Sequence, residues 1–144
     1  MGLSLSHGDY SRSYSSLNFM RNYMMQRAGY TGTEKVSEGF LPFKYWSADI
    51  NWDEIPDSAV QGDWGDHVPK DILFVLACHS DCEYSIKRKH LKPLADRMRE
   101  ILAMPEKEHY VHCYTDIQLN IEVAECFIDS LLTAHKARQI LRFL

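Results

Sequence analysis

The side chains best able to do chemistry lie in one short stretch, residues 78–85. It reads Cys-His-Ser-Asp-Cys-Glu-Tyr-Ser and combines groups that bind metals, exchange protons and form hydrogen bonds. It follows the most apolar run of the chain, residues 72–77, and precedes an amphipathic segment that begins near Lys87. This density of reactive groups makes the stretch the first candidate for a functional site.

Metal binding is one chemistry that the stretch could support. Its side chains of metal-binding type, suited to zinc or another divalent cation, are His79, Asp81, Cys82 and Glu83. His109, or His112 with Cys113, could add ligands from elsewhere in the chain. The two cysteines of the stretch have no matching second pair, so the spacing is not that of a known zinc motif. A calcium-binding loop is a further alternative, with His79 at its first position. Tyr84 would then stand in place of the required glycine, and His90 in place of the bidentate glutamate.

Catalysis without a metal is a second alternative. Cys82 and His79 could form a thiolate–imidazolium pair, although the carboxylates of Asp81 and Glu83 would raise the pKa of the thiol. His79 and Asp81 could also act as a general acid–base pair. Of the metal-bound and metal-free alternatives, the enzymatic hypothesis retained is a small metal-dependent hydrolase centred on His79, Asp81 and Glu83.

A purely structural role, with neither metal binding nor catalysis, would also explain the presence of these residues. A polar turn between two packed helices needs groups that satisfy unpaired backbone amides, and Asp81 and Ser85 are good capping residues. Cys78 and Cys82 would then be small buried side chains. Such a turn could still offer side chains to a ligand or a partner, namely His79, Ser80, Asp81 and Glu83.

A second candidate site lies near the start of the first predicted helix. Side chains that could bind an anion there are Arg12, Arg21, Tyr10 and Tyr14. The alternative is a solvated helix face, which would carry Asn18, Arg21, Asn22 and Gln26. The basic run at residues 87–89 is expected to lie on the surface. Further surface groups are expected to be His90, His135, and Arg97 and Arg99 paired with Asp96 and Glu100.

Length and composition indicate one globular domain spanning residues 1–144. Of the residues, 45% are hydrophobic and 25% are charged, and the net charge is −4. This balance predicts no general attraction to nucleic acid or to anionic membranes. The sequence lacks the apolar run of a membrane span and the pattern of a signal peptide, so we expect a cytoplasmic protein with free thiols.

Hydrophobic periodicity predicts an α+β fold with three to four helices packed on a small sheet. Helices are expected at 15–28, 72–77, 91–102 and 116–134, with Thr115 as the N-cap of the last one. For residues 72–77 a helix is favoured over a buried strand. Strands are expected at 2–6 and 139–144, and these two terminal strands are expected to pair with each other. The aromatic-rich segment 29–68 is predicted to be an ordered excursion.

The order of these features resembles a group of small uncharacterised proteins of bacteriophage and bacterial genomes. The resemblance is carried by the N-terminal Gly-Leu-Ser-Leu-Ser, the Ser/Tyr-rich lead into residues 17–21, and the His-Ser-Asp-Cys-Glu run before the helix at 91–102. In those proteins the central motif is expected to read His-Ser-Asp-Cys-Asp-Gly-Glu, so Glu83 and Tyr84 depart from it. The resemblance implies a phage-type accessory protein and no particular activity.

These observations favour a non-enzymatic, phage-type accessory binding protein. It would capture a small ligand, such as a nucleotide-derived signal in counter-defence, or a host protein. The predicted ligand-binding residues are His79, Ser80, Asp81, Glu83, Arg21 and Tyr14. No cofactor is predicted, and neither nucleic acid nor a membrane is expected as a partner. Both a monomer and a homo-oligomer are compatible with the sequence.

Overall fold

The computed structural model describes residues 2–30, 71–77 and 85–144. Within these ranges it contains four helices, α1 (Tyr14–Arg27), α2 (Leu73–Ala77), α3 (Arg88–Leu102) and α4 (Ile117–Ala137). It also contains four short strands, β1 (Gly2–Ser4), β2 (Ser11–Ser13), β3 (Ser85–Ile86) and β4 (Leu141–Arg142). The predicted α+β class is confirmed. The motif residues 78–84 and positions 31–68 of the aromatic-rich segment lie outside the described residues.

The strands form two antiparallel pairs that are joined through the chain ends. β1 pairs with β2 in a hairpin, and β3 pairs with β4. A bridge between Leu5 and Phe143 then connects the N-terminal segment to the C-terminal one. The Ser6 N–H donates to the Arg142 carbonyl at 3.0 Å, and the Leu144 N–H donates to the Ser4 carbonyl at 2.9 Å. The predicted pairing of the two ends is confirmed, whereas the strand β2 was not predicted.

The hairpin between β1 and β2 docks against α4 through a glycine. Gly8 has a φ of +76°, a conformation that side chains with a Cβ rarely adopt. A Cβ added there would lie 2.5 Å from the Oγ of Ser130. Both the backbone conformation and the close approach therefore require glycine at this turn.

Helix α1 is buried on nearly all sides, so the expected solvated face is wrong. Arg21, Asn22 and Gln26 are all buried. Asn22 and Gln26 are tolerated because distant backbone groups satisfy them: the Asn22 amide donates to the His112 carbonyl at 2.8 Å. The Gln26 side chain donates to the Val111 carbonyl and accepts from the Val111 N–H. The connector between α3 and α4 thus covers the polar side of α1.

Helices α3 and α4 pack against each other and against α1 around one core, which includes Leu17, Met24, Leu94, Met98 and Phe127. α3 begins at Arg88, inside the predicted start region between Lys87 and Leu91, so Pro93 lies within the helix and cannot donate to the Lys89 carbonyl. Of the described helices, none combines the length and the apolar character that crossing a membrane would need.

The N-cap prediction for α4 is wrong by one residue. The N-cap is Asp116, and its carboxylate accepts from the Gln118 N–H at 3.0 Å. A carboxylate is a stronger acceptor for the helix N-terminus than the hydroxyl of Thr115, because it is charged. Helix α4 ends at Ala137, and its C-cap, Arg138, has a left-handed conformation with a φ of 56°.

Candidate functional site

The predicted residues of the central motif cannot be placed in the fold. His79, Ser80, Asp81 and Glu83 lie outside the described residues. Among the residues that the structure does describe, no three His, Cys, Asp or Glu side chains are grouped so that they could hold a metal. Cys113 is half-buried, and burial raises the pKa of its thiol, which disfavours the thiolate that metals bind. The metal hypothesis stays a prediction for the undescribed stretch.

The predicted anion site at α1 is closed to ligands. Arg21 is fully buried, and its Nη1 donates to the Asn18 Oδ1 at 3.2 Å. Tyr10 is also buried, and this burial raises the pKa of its hydroxyl, while Arg21 and Arg12 oppose the rise. Tyr14, the first residue of α1, is half-buried against the core. The arginine belongs to the interior of the fold, so it is not available to a dissolved anion.

A different group of cationic side chains surrounds two adjoining surface grooves. The first, here called the helix groove, has a volume of about 550 Å³ and is lined by Arg88, Lys89, His135 and Arg138. The second, here called the strand groove, has a volume of about 520 Å³ and is lined by Ser6, His7, Arg88, Arg138, Gln139, Ile140 and Arg142. Arg88 and Arg138 line both. Together the grooves form what we call the basic surface.

Three segments that are distant in the sequence build the basic surface. β3 leads directly into α3, so it places Arg88 at the first turn of that helix. β3 also pairs with β4, in a register that sets Ser85 opposite Arg142. The left-handed C-cap at Arg138 turns the chain from α4 towards β4. Pairing of these two short strands therefore brings the start of α3 beside the end of α4.

Three arginines of this surface carry charges that no carboxylate in the described part of the chain neutralises. Arg88, Arg138 and Arg142 are exposed and form no ion pair with any acidic group in the described part of the chain. The whole protein carries a net charge of −4, so this local positive excess runs against the overall balance. Such a concentration of positive charge attracts anions.

Helix dipoles explain the cations on α4 but not those on α3. His135 and Lys136 lie in the last turn of α4, where the negative end of the helix favours positive charge. Arg88 and Lys89 lie in the first turn of α3, where positive charge is unfavourable. The N-cap residue there, Lys87, supplies no capping hydrogen bond from its side chain. A bound anion would compensate this arrangement.

The rim of the strand groove is held by a hydrogen-bonded chain. His7 lies between the Ser6 hydroxyl, 2.9 Å from Nδ1, and the Gln139 Oε1, 2.8 Å from Nε2. Because an amide oxygen only accepts, Nε2 carries the proton and the Ser6 hydroxyl donates to Nδ1. The Ser6 Oγ in turn accepts from the Arg142 N–H at 2.9 Å. Gln139 also lines the strand groove, and its Nε2 has no hydrogen-bond acceptor among the described residues.

The sequence contained only part of the signal for this site. The run at residues 87–89 was interpreted as surface charge, and its exposed Arg88 agrees with that. Its place at a helix N-terminus, where basic residues are disfavoured, was the feature that could have indicated an anion site. The surface prediction for His90 is wrong, because the side chain is only 1% exposed, whereas His135 is exposed as expected.

The chain was also compared with known proteins. A scan against protein-family models gave no match, and comparisons with curated proteins and with solved structures gave none either. Any function must therefore be argued from the site itself.

Proposed function

We propose that the protein is a non-enzymatic binding protein that captures a small, phosphate-bearing molecule on the basic surface. The observation that carries this proposal is the position of Arg88 and Arg138, which line both grooves and have no acidic partner in the described part of the chain. Two exposed guanidinium groups that line the same groove repel each other, and an anion bound between them offsets this repulsion.

Phosphate is the anion that this lining suits best. The planar guanidinium of arginine can bind two phosphate oxygens at once, which an ammonium group cannot do. The N-terminal end of α3 adds the positive end of its dipole from the side of Arg88. Ser6 and Gln139 supply neutral hydrogen-bonding groups at the edge, and the described lining residues include no carboxylate or thiol.

The resemblance to small bacteriophage and bacterial proteins supports a phage-type accessory role for this binding. Capture of a nucleotide-derived signal would remove it from solution and would act in counter-defence. A host protein that presents an acidic segment is the alternative partner, because carboxylates also pair with arginine.

The test is isothermal titration calorimetry of the full chain with pyrophosphate and with ADP, at about 50 mM salt where screening is weak. Wild-type protein should bind both. Arg88→Gln and Arg138→Gln should each weaken binding roughly tenfold or more, because each removes charge-assisted hydrogen bonds. Arg99→Gln is the matched control, since it removes one exposed arginine from the other end of α3.

Absence of binding by the wild-type protein, or an equal loss in Arg99→Gln, would contradict the proposal. Metal analysis of protein purified without added metal tests the enzymatic alternative in the same preparation. A stoichiometric metal that is lost in His79→Ala would favour the metal-dependent hydrolase instead.

A further inference from the structure

We infer that His7 controls the affinity of the strand groove for phosphate-bearing ligands, because its protonation adds a positive charge and turns the Ser6 hydroxyl towards the bound anion. This inference rests on the proposed function and names a further ligand-binding group of the same site. The basic surface then binds phosphate more tightly as the pH falls.

The backbone of Arg142 holds Ser6 from two sides. The Ser6 N–H donates to the Arg142 carbonyl at 3.0 Å, and the Arg142 N–H donates to the Ser6 Oγ at 2.9 Å. The hydroxyl oxygen has two lone pairs and one proton, and one lone pair is taken by Arg142. The oxygen is therefore fixed in position, whereas the direction of its proton depends on His7.

Neutral His7 takes up the proton of the Ser6 hydroxyl. The His7 Nε2 lies 2.8 Å from the Gln139 Oε1, to which it donates, so Nδ1 is the acceptor of the neutral ring. The Ser6 hydroxyl donates to this nitrogen at 2.9 Å. In this state the hydroxyl has no second proton to give to a ligand.

Protonation of His7 reverses only one of these hydrogen bonds. Both ring nitrogens of an imidazolium donate, so Nε2 keeps its bond to Gln139 while Nδ1 donates to the Ser6 Oγ. The Ser6 oxygen then accepts from His7 and from the Arg142 N–H together, and its own proton needs a new acceptor. Ser6 lines the strand groove, where a phosphate oxygen can accept that proton.

The other charged groups around His7 determine which controls the test needs. Those that line the strand groove in the described part of the chain are Arg88 at the start of α3, Arg138 at the C-cap of α4 and Arg142 of β4. Arginine keeps its charge, whereas histidine side chains ordinarily gain theirs between about pH 8 and pH 5. His135, at the end of α4, lines the helix groove, and the exposed Asp9 follows in the same turn as His7.

The test is calorimetry of ADP binding to the full chain at about pH 5.5 and about pH 8, for wild type and for His7→Gln. The phosphates of ADP also change charge in this range, so the two proteins are compared at each pH. Near pH 5.5 His7→Gln should bind roughly tenfold more weakly than wild type, because it lacks the charge and the released hydroxyl. Near pH 8 the two affinities should agree.

Two further variants locate the effect. His135→Gln is the matched control in the helix groove, and it should keep most of the wild-type affinity near pH 5.5. Ser6→Ala should lose less affinity than His7→Gln, because it removes the hydroxyl and keeps the charge. Unchanged melting temperatures would show that the variants fold.

A second measurement uses the wild-type protein alone. The ring nitrogen signals of His7, followed by nuclear magnetic resonance, report its charge directly. With saturating pyrophosphate His7 should stay protonated to a higher pH than without it, because the bound anion stabilises the imidazolium.

The possible outcomes separate this inference from the proposed function. If His7→Gln binds ADP as tightly as wild type near pH 5.5, or if pyrophosphate leaves the titration of His7 unchanged, the inference is overturned while the proposed function stands. An equal loss in His135→Gln would also overturn it, since the pH dependence would then belong to the helix groove. If neither pyrophosphate nor ADP binds at either pH, the proposed function fails together with the inference.

Discussion

At the scale of single residues, Arg27 is a buried cation whose guanidinium has several partners in the described structure. Its side chain is 5% exposed, and its guanidinium donates to the hydroxyl of Tyr23 at 2.8 Å and pairs with Glu106 at 3.0 Å. The same group donates to the carbonyls of Leu102 and Met104, at 3.0 and 2.7 Å. These carbonyls lie at the end of α3, so Arg27 ties α1 to the C-terminus of that helix.

We expect Arg27→Met to lower the free energy of unfolding by about 2–4 kcal/mol, because it removes the cation that pairs with Glu106 and leaves the two carbonyls without their side-chain donor. Urea denaturation measures this. Lys92→Gln is the control, since Lys92 and Asp96 form an ion pair in which both side chains are more than half exposed. Loss of this ion pair should change the free energy of unfolding by no more than about 0.5 kcal/mol. Equal effects of the two substitutions would contradict a structural role for Arg27.

Residue-scale burial was the least predictable property of the chain. Hydropathy places charged and polar groups at the surface, yet Arg21, Asn22 and His90 are buried. Asn22 is buried because the carbonyl of His112, ninety positions along the chain, lies within hydrogen-bonding distance. A partner so distant in sequence exists only after folding, so local pattern carries no information about it.

At the scale of secondary-structure elements, α3 combines an unfavourable start with a favourable end. Arg88 lies in its first turn and Arg99 in its last. We expect Arg88→Glu to raise the stability of the ligand-free protein by about 0.3–1 kcal/mol, because a negative charge there complements the helix dipole. The same substitution should abolish phosphate binding. Differential scanning fluorimetry and calorimetry measure the two effects on one preparation.

The reciprocal control makes the same change in charge at the opposite end of α3. Arg99→Glu should lower stability, because it places a negative charge at the negative end of the dipole, and it should leave phosphate binding intact. Opposite shifts in melting temperature would indicate that Arg88 is retained for binding at the expense of stability. A loss of stability in Arg88→Glu as large as in Arg99→Glu would refute this interpretation.

Asp71 joins α2 to α3 and gives stability a predictable dependence on pH. Its carboxylate accepts from the Leu73 N–H at 3.0 Å, from Arg97 at 3.1 and 3.2 Å, and from the Tyr30 hydroxyl at 2.7 Å. Burial alone would raise the pKa of this carboxyl. The hydrogen bonds from Arg97, Leu73 and Tyr30 outweigh burial, so the pKa is lowered. Arg97 thus pairs with Asp71 and Glu100, and not with the predicted Asp96.

A lowered pKa in the folded state means that the ionised carboxylate stabilises the fold. This stabilisation is complete above the ordinary aspartate pKa of about 4 and is lost as the pH falls through the lower pKa of the folded state. We therefore expect Asp71→Asn to lose less stability than wild type between about pH 5 and pH 2. Urea denaturation at a series of pH values measures this. Asp96→Asn should follow the wild-type profile, and identical profiles for all three proteins would exclude the role of Asp71.

Elements with strong periodicity were predictable, whereas two of the short strands, β2 and β3, were not. The helices α1, α3 and α4 follow apolar spacing along the sequence, so their existence and approximate bounds could be predicted. β2 and β3 have three and two residues, which is too short for an alternating pattern to emerge. The basic surface depends on the pairing of β4 with β3, and because β3 was not predicted the sequence did not locate this surface.

At the scale of the whole molecule, the two chain ends close the fold and support the site. Phe143 is 6% exposed, bridges to Leu5, and packs edge to face on Phe127 of α4 with ring centroids 6.1 Å apart. Arg142, its neighbour, lines the strand groove. Packing of this one aromatic ring therefore holds both the terminal bridge and one wall of the basic surface.

We expect Phe143→Ala to lower the free energy of unfolding by about 3 kcal/mol, through lost burial and the cavity that remains. Leu144→Ala is the matched control, because Leu144 is 64% exposed, and it should have almost no effect.

Hydrogen exchange adds a local measurement of the same terminal bridge. The amides of Ser6 and Leu144 bond across the terminal bridge, so both should exchange faster in Phe143→Ala, whereas amides inside α4 should keep the larger part of their protection. If the Ser6 and Leu144 amides kept wild-type protection in Phe143→Ala, the terminal bridge would not depend on this ring, and Arg142 would have to be positioned by β3 alone.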